Sequence, residues 1–102
     1  MGTTLDNRNI EDERSIQNLI GKVVRHFKGD LYIVICEALE SNTLKKQVVY
    51  KALYEDNAVW IRDTDEFMSE VPEDKQDENI TGQIYRFERY KPKRLSTYKK
   101  GD

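Results

Sequence analysis

The chain has 102 residues, of which 37% are hydrophobic and 35% are charged, with a formal net charge of −2 at pH 7. Only two prolines and five glycines occur, which excludes collagen-like and wholly disordered chains and indicates one folded domain. The longest apolar run, Leu31 to Cys36, is too short to cross a bilayer, and no signal-peptide pattern precedes it. We therefore expect a cytoplasmic protein without membrane contacts, and the single cysteine excludes an internal disulfide.

The N-terminal residues predict a helix from about Ile10 to Ile20. Asn9 is a suitable N-cap, the acidic residues after it favour the positive end of the helix dipole, and Gly21 is a natural stop. Only four residues of this segment are apolar, so the helix must pack against another surface to be stable.

From Lys22 onwards the hydrophobic period changes to two, which is typical of β-strands. Lys28-Gly29-Asp30 predicts a tight hairpin turn. The segment Leu31–Cys36 is apolar on both faces and predicts a central strand that is covered on both sides. The five predicted strands are at about 22–28, 31–39, 47–54, 58–62 and 83–90.

A short helix is predicted after the fourth strand, capped by Asp63 or Thr64 and ended by Pro72. Its apolar residues are Phe67, Met68 and Val71. Residues 73–82 predict an exposed loop. Five short strands cannot bury their apolar faces as one flat sheet, so we predict a mainly β (α+β) fold, a small antiparallel and partly open barrel. Its predicted buried residues include Ile33, Ile35, Val49 and Leu53.

Charge is segregated along the chain, which divides into a helical extension (1–21), a barrel (22–90) and a basic tail (91–102). Residues 55–88 carry eleven acidic and three basic side chains, whereas residues 89–102 carry one and six. These segments can pair across a subunit contact or stay solvated. Because a small barrel alone holds the weak helix and the tail poorly, we expect at least a homodimer.

An ordered set of motifs runs through residues 22–88. It comprises Arg25-His26-Phe27-Lys28-Gly29, Tyr32, Val48-Val49-Tyr50-Lys51-Ala52-Leu53-Tyr54, Trp60, Arg62, Phe67 and Arg86-Phe87. This pattern resembles a family of short bacterial and phage proteins classed as a domain of unknown function. The resemblance implies an SH3-like barrel and no established activity. Where that family has a proline after its Trp-x-Arg motif, this chain has Asp63.

The sequence offers little for catalysis or metal binding. His26 is the only histidine, Cys36 lies in an apolar run, and no glycine-rich phosphate loop occurs. His26 can act as a general base or ligand, or as a strand residue hydrogen-bonded to a neighbour. The acidic residues from Asp63 to Glu78 lack the spacing of a calcium loop. We therefore predict a non-enzymatic protein with no cofactor and no metal.

Arginines beside aromatic residues form the candidate site, because they can neutralise an anion while stacking on a planar ring. The predicted ligand-binding residues are Arg25, His26, Tyr50, Tyr54, Trp60, Arg62 and Arg86, with Tyr32 and Tyr85 as further aromatic candidates. Alternatively, the aromatic residues fill a small core and the arginines extend from its rim. Since Trp60 and Arg62 share one strand face and Val59 and Ile61 the other, burial of the aliphatic pair would expose the tryptophan.

Three hypotheses of function follow. The first is a homo-oligomeric binding protein that holds a small anionic, ring-containing ligand, such as a nucleotide or a nucleotide-derived signal. The second is a protein-interaction module that uses the same face for a peptide or a partner subunit, and the third is an enzyme accessory or weak hydrolase. The basic tail with Tyr90 and Tyr98 suits nucleic acid. However, the acidic segment would repel a polyanion, so nucleic acid ranks below the first two partners.

Overall fold

One antiparallel β-sheet is the main element of the computed structural model, which describes residues 14–92. The strands are β1 (Val23–His26), β2 (Leu31–Leu39), β3 (Lys46–Ala52), β4 (Val59–Asp63) and β5 (Phe87–Arg89). Their order in space is β4-β3-β2-β1-β5, so β5 returns to lie beside β1. The predicted mainly β fold with five antiparallel strands is confirmed. The division into three segments stays a prediction, because residues 1–13 and 93–102 lie outside the described range.

Three short helices accompany the sheet within the described residues. A 3-10 helix (Ile16–Asn18) precedes β1, an α-helix, α1 (Thr64–Phe67), follows β4, and a second 3-10 helix (Glu73–Glu78) follows α1. The position of α1 confirms the predicted short helix, whereas the predicted loop at 73–82 contains the second 3-10 helix. In this part of the chain, no helix is both long and apolar enough to cross a membrane.

The N-terminal helix predicted from about Ile10 to Ile20 begins outside the described residues, and most of its described part is not helical. Only Ile16–Asn18 is helical there, and the hydroxyl of Ser15 caps it by accepting a hydrogen bond from the N–H of Gln17. Ile16 and Leu19 are nevertheless buried in the core. The weak apolar stripe thus packs on the sheet, which a marginal helical segment requires.

The first hairpin has the turn that the sequence predicts. Gly29 adopts a φ of 110°, a conformation that side chains rarely tolerate. The N–H of His26 donates to the carbonyl oxygen of Asp30 at 2.8 Å, which closes the turn between β1 and β2. Local sequence therefore sets the pairing of these two strands.

The hydrophobic core lies on one face of the sheet, which we call the inner face. Its buried members are Ile16, Leu19, Val24, Val34, Val48, Tyr50, Phe67 and Phe87. The ring of Phe67 from α1 stacks on the ring of Phe87 from β5, with centroids 4.0 Å apart and planes at 6°. Tyr50 meets both rings edge-on. Helix α1 therefore covers the inner face and links it to the far edge of the sheet.

Two residues predicted to be buried, Ile35 and Leu53, are exposed instead. A β-bulge shifts the pairing of β2 with β3 between Val34 and Cys36, so Cys36 lies on the face opposite the core and is exposed. Because this outer face stays largely open within the described chain, the prediction of a central strand covered on both sides is wrong. The other two predicted core residues, Ile33 and Val49, are only partly buried.

The last strand is shorter than the predicted strand at 83–90. The carboxylate of Glu88 in β5 accepts hydrogen bonds from the N–H groups of Ile84 and Tyr85, which precede the strand, both at 2.9 Å. These bonds hold the backbone in an irregular turn that a continuous strand would not allow. Side-chain chemistry therefore overrides the alternating pattern at this point.

The sheet does not close in the described residues, since β4 and β5 are its two edges. The edges approach each other through side chains, with the Arg62 guanidinium of β4 5.9 Å from the ring centroid of Phe87 in β5. The sheet is therefore strongly curved but open, and the SH3-like barrel stays a prediction.

We expect Phe67→Ala to destabilise the fold by about 3–5 kcal/mol, because it removes a completely buried ring that contacts Tyr50 and Phe87. Ile84→Ala is the matched control, since Ile84 is 63% exposed and its loss should change stability by less than about 0.5 kcal/mol. Urea unfolding of both variants measures the difference. Equal effects would contradict the assigned core.

Candidate functional site

Five of the seven predicted site residues come together on or beside the inner face, next to α1. They are His26, Tyr50, Tyr54, Arg62 and Arg86, and they are joined there by Tyr32 and Glu66. We call these seven residues the arginine–tyrosine site. They come from five strands or strand ends and one helix, so only the folded chain brings them together.

Arg62 anchors the site because it bridges two other elements. Its Nε donates to the hydroxyl of Tyr50 in β3 at 3.2 Å, and its NH1 contacts Glu66 Oε2 in α1 at 2.9 Å. Burial alone would lower the pKa of Arg62, but the hydroxyl of Tyr50 and the charge of Glu66 outweigh burial and raise it. The guanidinium is therefore a fixed positive charge at the edge of the core.

Arg86 is the most unusual group of the site. Its side chain is only 13% exposed, yet its guanidinium makes no hydrogen bond to any residue within 14–92, and Nε is fully buried. Its nearest acidic oxygen is Glu66 Oε2, at 3.9 Å. Burial and the neighbouring charge of Arg62 both lower the pKa of Arg86. Two guanidiniums thus share one half-exposed carboxylate, which leaves the site with positive charge to neutralise.

Three tyrosines line the site beside the arginines. The hydroxyls of Tyr32 and Tyr54 are 2.8 Å apart, and the ring of Tyr32 meets the rings of Tyr50 and Tyr54 edge-on. Burial and the hydrogen bond with Tyr54 raise the pKa of Tyr32, so its hydroxyl stays protonated at neutral pH. The tyrosines therefore supply apolar ring edges together with neutral hydrogen-bond donors.

His26 contributes an uncharged imidazole. Its Nδ1 accepts a hydrogen bond from the N–H of Lys28 at 3.1 Å, which leaves the proton of the neutral ring on Nε2. Burial, followed by the charges of Arg62, Lys28 and Arg86, lowers the pKa of His26 to about 4. The histidine is thus a strand residue hydrogen-bonded to a neighbour, which is one of its two expected roles.

Arg25 does not join the site. It precedes His26 in β1, so strand alternation turns it to the outer face, where its Nε donates to Gln83 Oε1 at 3.3 Å. There it borders a separate groove of about 440 Å³. The groove is lined by Arg25, Gln83, Glu88, Arg89, Tyr90 and Lys91. Tyr85 is also elsewhere, under the guanidinium of Arg14 at 3.8 Å.

Trp60 lies at the border of the site. It pairs with Tyr50 across β3 and β4 and so shares the inner face with Arg62, but it is 51% exposed. No other described ring stacks on it. Val59 and Ile61, on the outer face, are exposed as well. Strand β4 therefore presents apolar side chains to solvent on both faces, whereas the sequence analysis expected one of the two faces to be buried.

Sequence reasoning missed Glu66, the carboxylate that both arginines share. Its spacing of four residues from Arg62 was the available signal, but that spacing predicts a contact only where both residues are expected in one helix, and Arg62 was expected in a strand. Here the pair spans the junction between β4 and α1.

The site suits an anion better than a metal ion. Within residues 14–92, no three histidine, cysteine or acidic side chains lie close enough together to hold a metal. The two guanidiniums and the neutral hydroxyls are hydrogen-bond donors, which match the oxygens of a phosphate or carboxylate. The rings beside them match a planar group.

Residues 22–89 match a family described as a protein of unknown function (DUF1653). The chain belongs to this family. The match covers two thirds of the chain and includes all five strands and the whole arginine–tyrosine site. No curated protein and no solved structure matches the chain. The resemblance to a domain of unknown function is therefore confirmed, while its bacterial or phage origin stays a prediction.

We expect the free energy of unfolding to fall as the pH drops from 7 towards 5.5. The pKa of His26 is about 4 in the folded protein and near 6.5 when unfolded, so acidification protonates the unfolded chain first and stabilises it. His26 is the only histidine, so His26→Gln should flatten this slope. Urea unfolding at both pH values measures it, and parallel slopes for the two proteins would contradict the buried neutral imidazole.

Proposed function

We propose that this protein is a non-enzymatic binding protein for a small anionic ligand that contains a planar ring, such as a nucleotide or a nucleotide-derived signal. The observation that supports this best is Arg86, a guanidinium that is mostly buried and makes no hydrogen bond within the described chain. A buried charge without hydrogen bonds costs stability, and folds rarely keep one for packing alone. An anion that enters from solvent would supply the missing partner.

Arg62 and Arg86 bind the anion in this proposal. Their guanidiniums are planar forks, which suit phosphate oxygens better than a lysine ammonium does. Glu66 now occupies the space between them, but its side chain is half exposed and can rotate towards water. The anion would then replace Glu66 as the shared partner, with two donors in place before it binds.

The ring of the ligand lies against the aromatic border of the site. Trp60 is half exposed on the same face as Arg62, and Tyr54 is partly exposed beside Tyr32. Stacking on such rings tolerates any base, because every base has a π-face. The requirement for both an anion and a ring excludes inorganic anions as strong ligands.

In this proposal the sheet is an SH3-like barrel that stays open between β4 and β5, and the ligand enters there. Arg62 from one edge lies over Phe87 from the other, and Arg86 directly precedes Phe87. The opening between the edges is then the entrance to the site. A concave surface between elements is where small-molecule sites usually occur.

A protein-interaction module is the second candidate, because Val59, Trp60 and Ile61 expose apolar side chains along an edge strand. An extended peptide could add to such an edge. Peptide binding of this kind would depend on the backbone of β4 and not on the guanidinium of Arg86. The arginine variants therefore separate the two candidates.

We expect AMP, or another member of a panel of nucleotides and cyclic dinucleotides, to raise the melting temperature, whereas adenosine and inorganic phosphate alone do not. Arg62→Lys and Arg86→Lys keep the charge but lose the planar fork, so each should weaken binding about tenfold or more. Arg89→Lys is the matched control, because Arg89 is exposed in β5 and should leave affinity unchanged. Calorimetric titration measures all three dissociation constants.

Trp60→Ala should cost roughly 1–3 kcal/mol of binding free energy, the contribution of one stacked base, and leave the melting temperature nearly unchanged. The opposite pattern would contradict the proposal. A second outcome would also contradict it: no ligand of the panel shifts the wild-type melting curve, and the Arg62, Arg86 and Trp60 variants all lose several kcal/mol of stability. These residues would then serve the packing of the core and its edge and not a ligand.

A further inference from the structure

The two edges of the sheet differ in how far they are covered. At β5, Arg14 NH2 donates to the carbonyl oxygen of Phe87 at 3.0 Å, and the chain around Glu70 bridges to Tyr85 just before the strand. At β4, the sequence contributes five strand residues that pair only with β3 within the described chain. Among residues 14–92, the outer edge of β4 is therefore the open edge of the sheet.

The backbone groups on that edge can be assigned from the ladder with β3. The N–H of Ala52 donates to the carbonyl oxygen of Ala58, so the alternate residues Trp60 and Arg62 also direct their backbone groups towards β3. The N–H and C=O of Val59 and Ile61 then point away from the sheet. They form a row of donors and acceptors that another strand can pair with.

The side chains of β4 do not protect this edge. Natural edge strands usually carry prolines or free charges that prevent pairing, but Val59, Trp60 and Ile61 are apolar and more than half exposed. Each of the two charged residues of the strand already contacts an oppositely charged residue of the same subunit. Arg62 contacts Glu66 at 2.9 Å, and Asp63 contacts Lys45 at 3.0 Å.

We propose that β4 pairs antiparallel with β4 of a second copy of this chain, about a two-fold axis at Ile61, and that the partner's Trp60 thereby completes the arginine–tyrosine site. The assembly itself is independent of any ligand, whereas the role of the partner's Trp60 rests on the proposed binding function.

The register follows from the strand itself. Centring the axis on Ile61 pairs all five residues of β4 and forms hydrogen bonds between outward-facing groups. Centring it on Trp60 would pair Asp63 with Asn57, whose φ of 57° breaks the extended backbone. Centring it on Arg62 would place two guanidiniums opposite each other, which costs free energy. The Ile61 register avoids both problems.

In this register the partner's Trp60 lies opposite Arg62 on the inner face. The two form a non-hydrogen-bonded pair, the type of pair in which side chains approach most closely. An indole beside a guanidinium is a favourable cation–π arrangement. The partner thus supplies a second indole beside Arg62, in addition to the half-exposed Trp60 of the same subunit.

Sedimentation equilibrium of the variants Ile61→Lys and Ile84→Lys tests whether the chain forms this dimer. Ile61 is 62% exposed, so the first variant should fold normally, but it would set two lysines face to face on the axis. We expect the wild type and Ile84→Lys to have twice the mass of one chain, and Ile61→Lys to be monomeric. A monomeric wild type at high micromolar concentration, or a dimer unaffected by Ile61→Lys, would overturn the proposal.

Substitutions of Val59 test the register separately. Val59 lies opposite the partner's Asp63, so Val59→Glu should weaken the dimer while Val59→Lys should preserve it. If both variants behave alike, the register is wrong. Circular dichroism of each variant confirms that the subunit is folded, so loss of the dimer is not loss of the fold.

Titration with AMP separates this proposal from the binding function. If the dimer behaves as expected but neither AMP nor any other member of the nucleotide panel binds, the assembly is supported and the proposed ligand binding is wrong. If AMP binds the wild-type dimer, the monomeric Ile61→Lys should bind it about tenfold or more weakly, the loss expected for one stacking ring. An affinity unchanged by Ile61→Lys would overturn the role of the partner's Trp60.

Discussion

The stack of Phe67 on Phe87 is the contact on which the rest of the site depends. Phe67 belongs to α1, which follows β4 directly, whereas Phe87 belongs to β5 at the opposite edge of the sheet. Burying this ring pair draws α1 across the inner face, and with it Glu66, the residue before Phe67. Arg86, the residue before Phe87, is brought to the same point. The apolar contact therefore brings Arg86 to Glu66, the carboxylate that Arg62 also contacts, and so places two guanidiniums around one acidic group.

Burial then determines the charge state of this region. His26 lies against Phe87 and near both arginines, so its protonated form is disfavoured and the imidazole stays neutral at physiological pH. The guanidiniums cannot respond in this way, because their pKa values start far above neutrality. In this region two guanidiniums therefore share a single half-exposed carboxylate, and in the proposed function an anion from solvent balances the remaining positive charge.

The sequence predicts those features that depend on residues close to each other along the chain. The turn at Lys28-Gly29-Asp30 needs only a glycine that tolerates positive φ. The place of α1 was also predicted, although the side chain of Asp63 at its N-cap position makes no capping hydrogen bond. The exposure of Ile35 was missed, because a bulge depends on how β2 meets β3 and leaves no local pattern. Arg62 and Arg86 were both predicted as residues of one site. The contact of Glu66 with both of them was not predicted, because it depends on the curvature of the whole sheet.

The two proposals give strand β4 two roles, which strand geometry keeps apart. Its inner face contributes Arg62 to the site, while the backbone of Val59 and Ile61 faces the open edge, so pairing at the edge leaves the guanidinium in place. In the proposed dimer, Trp60 links the two roles, because it belongs to the edge of one subunit and to the site of the other. Ligand binding and dimerisation then share one free energy of coupling, and a ligand that binds the completed site tightens the dimer by the same factor by which the dimer tightens the ligand.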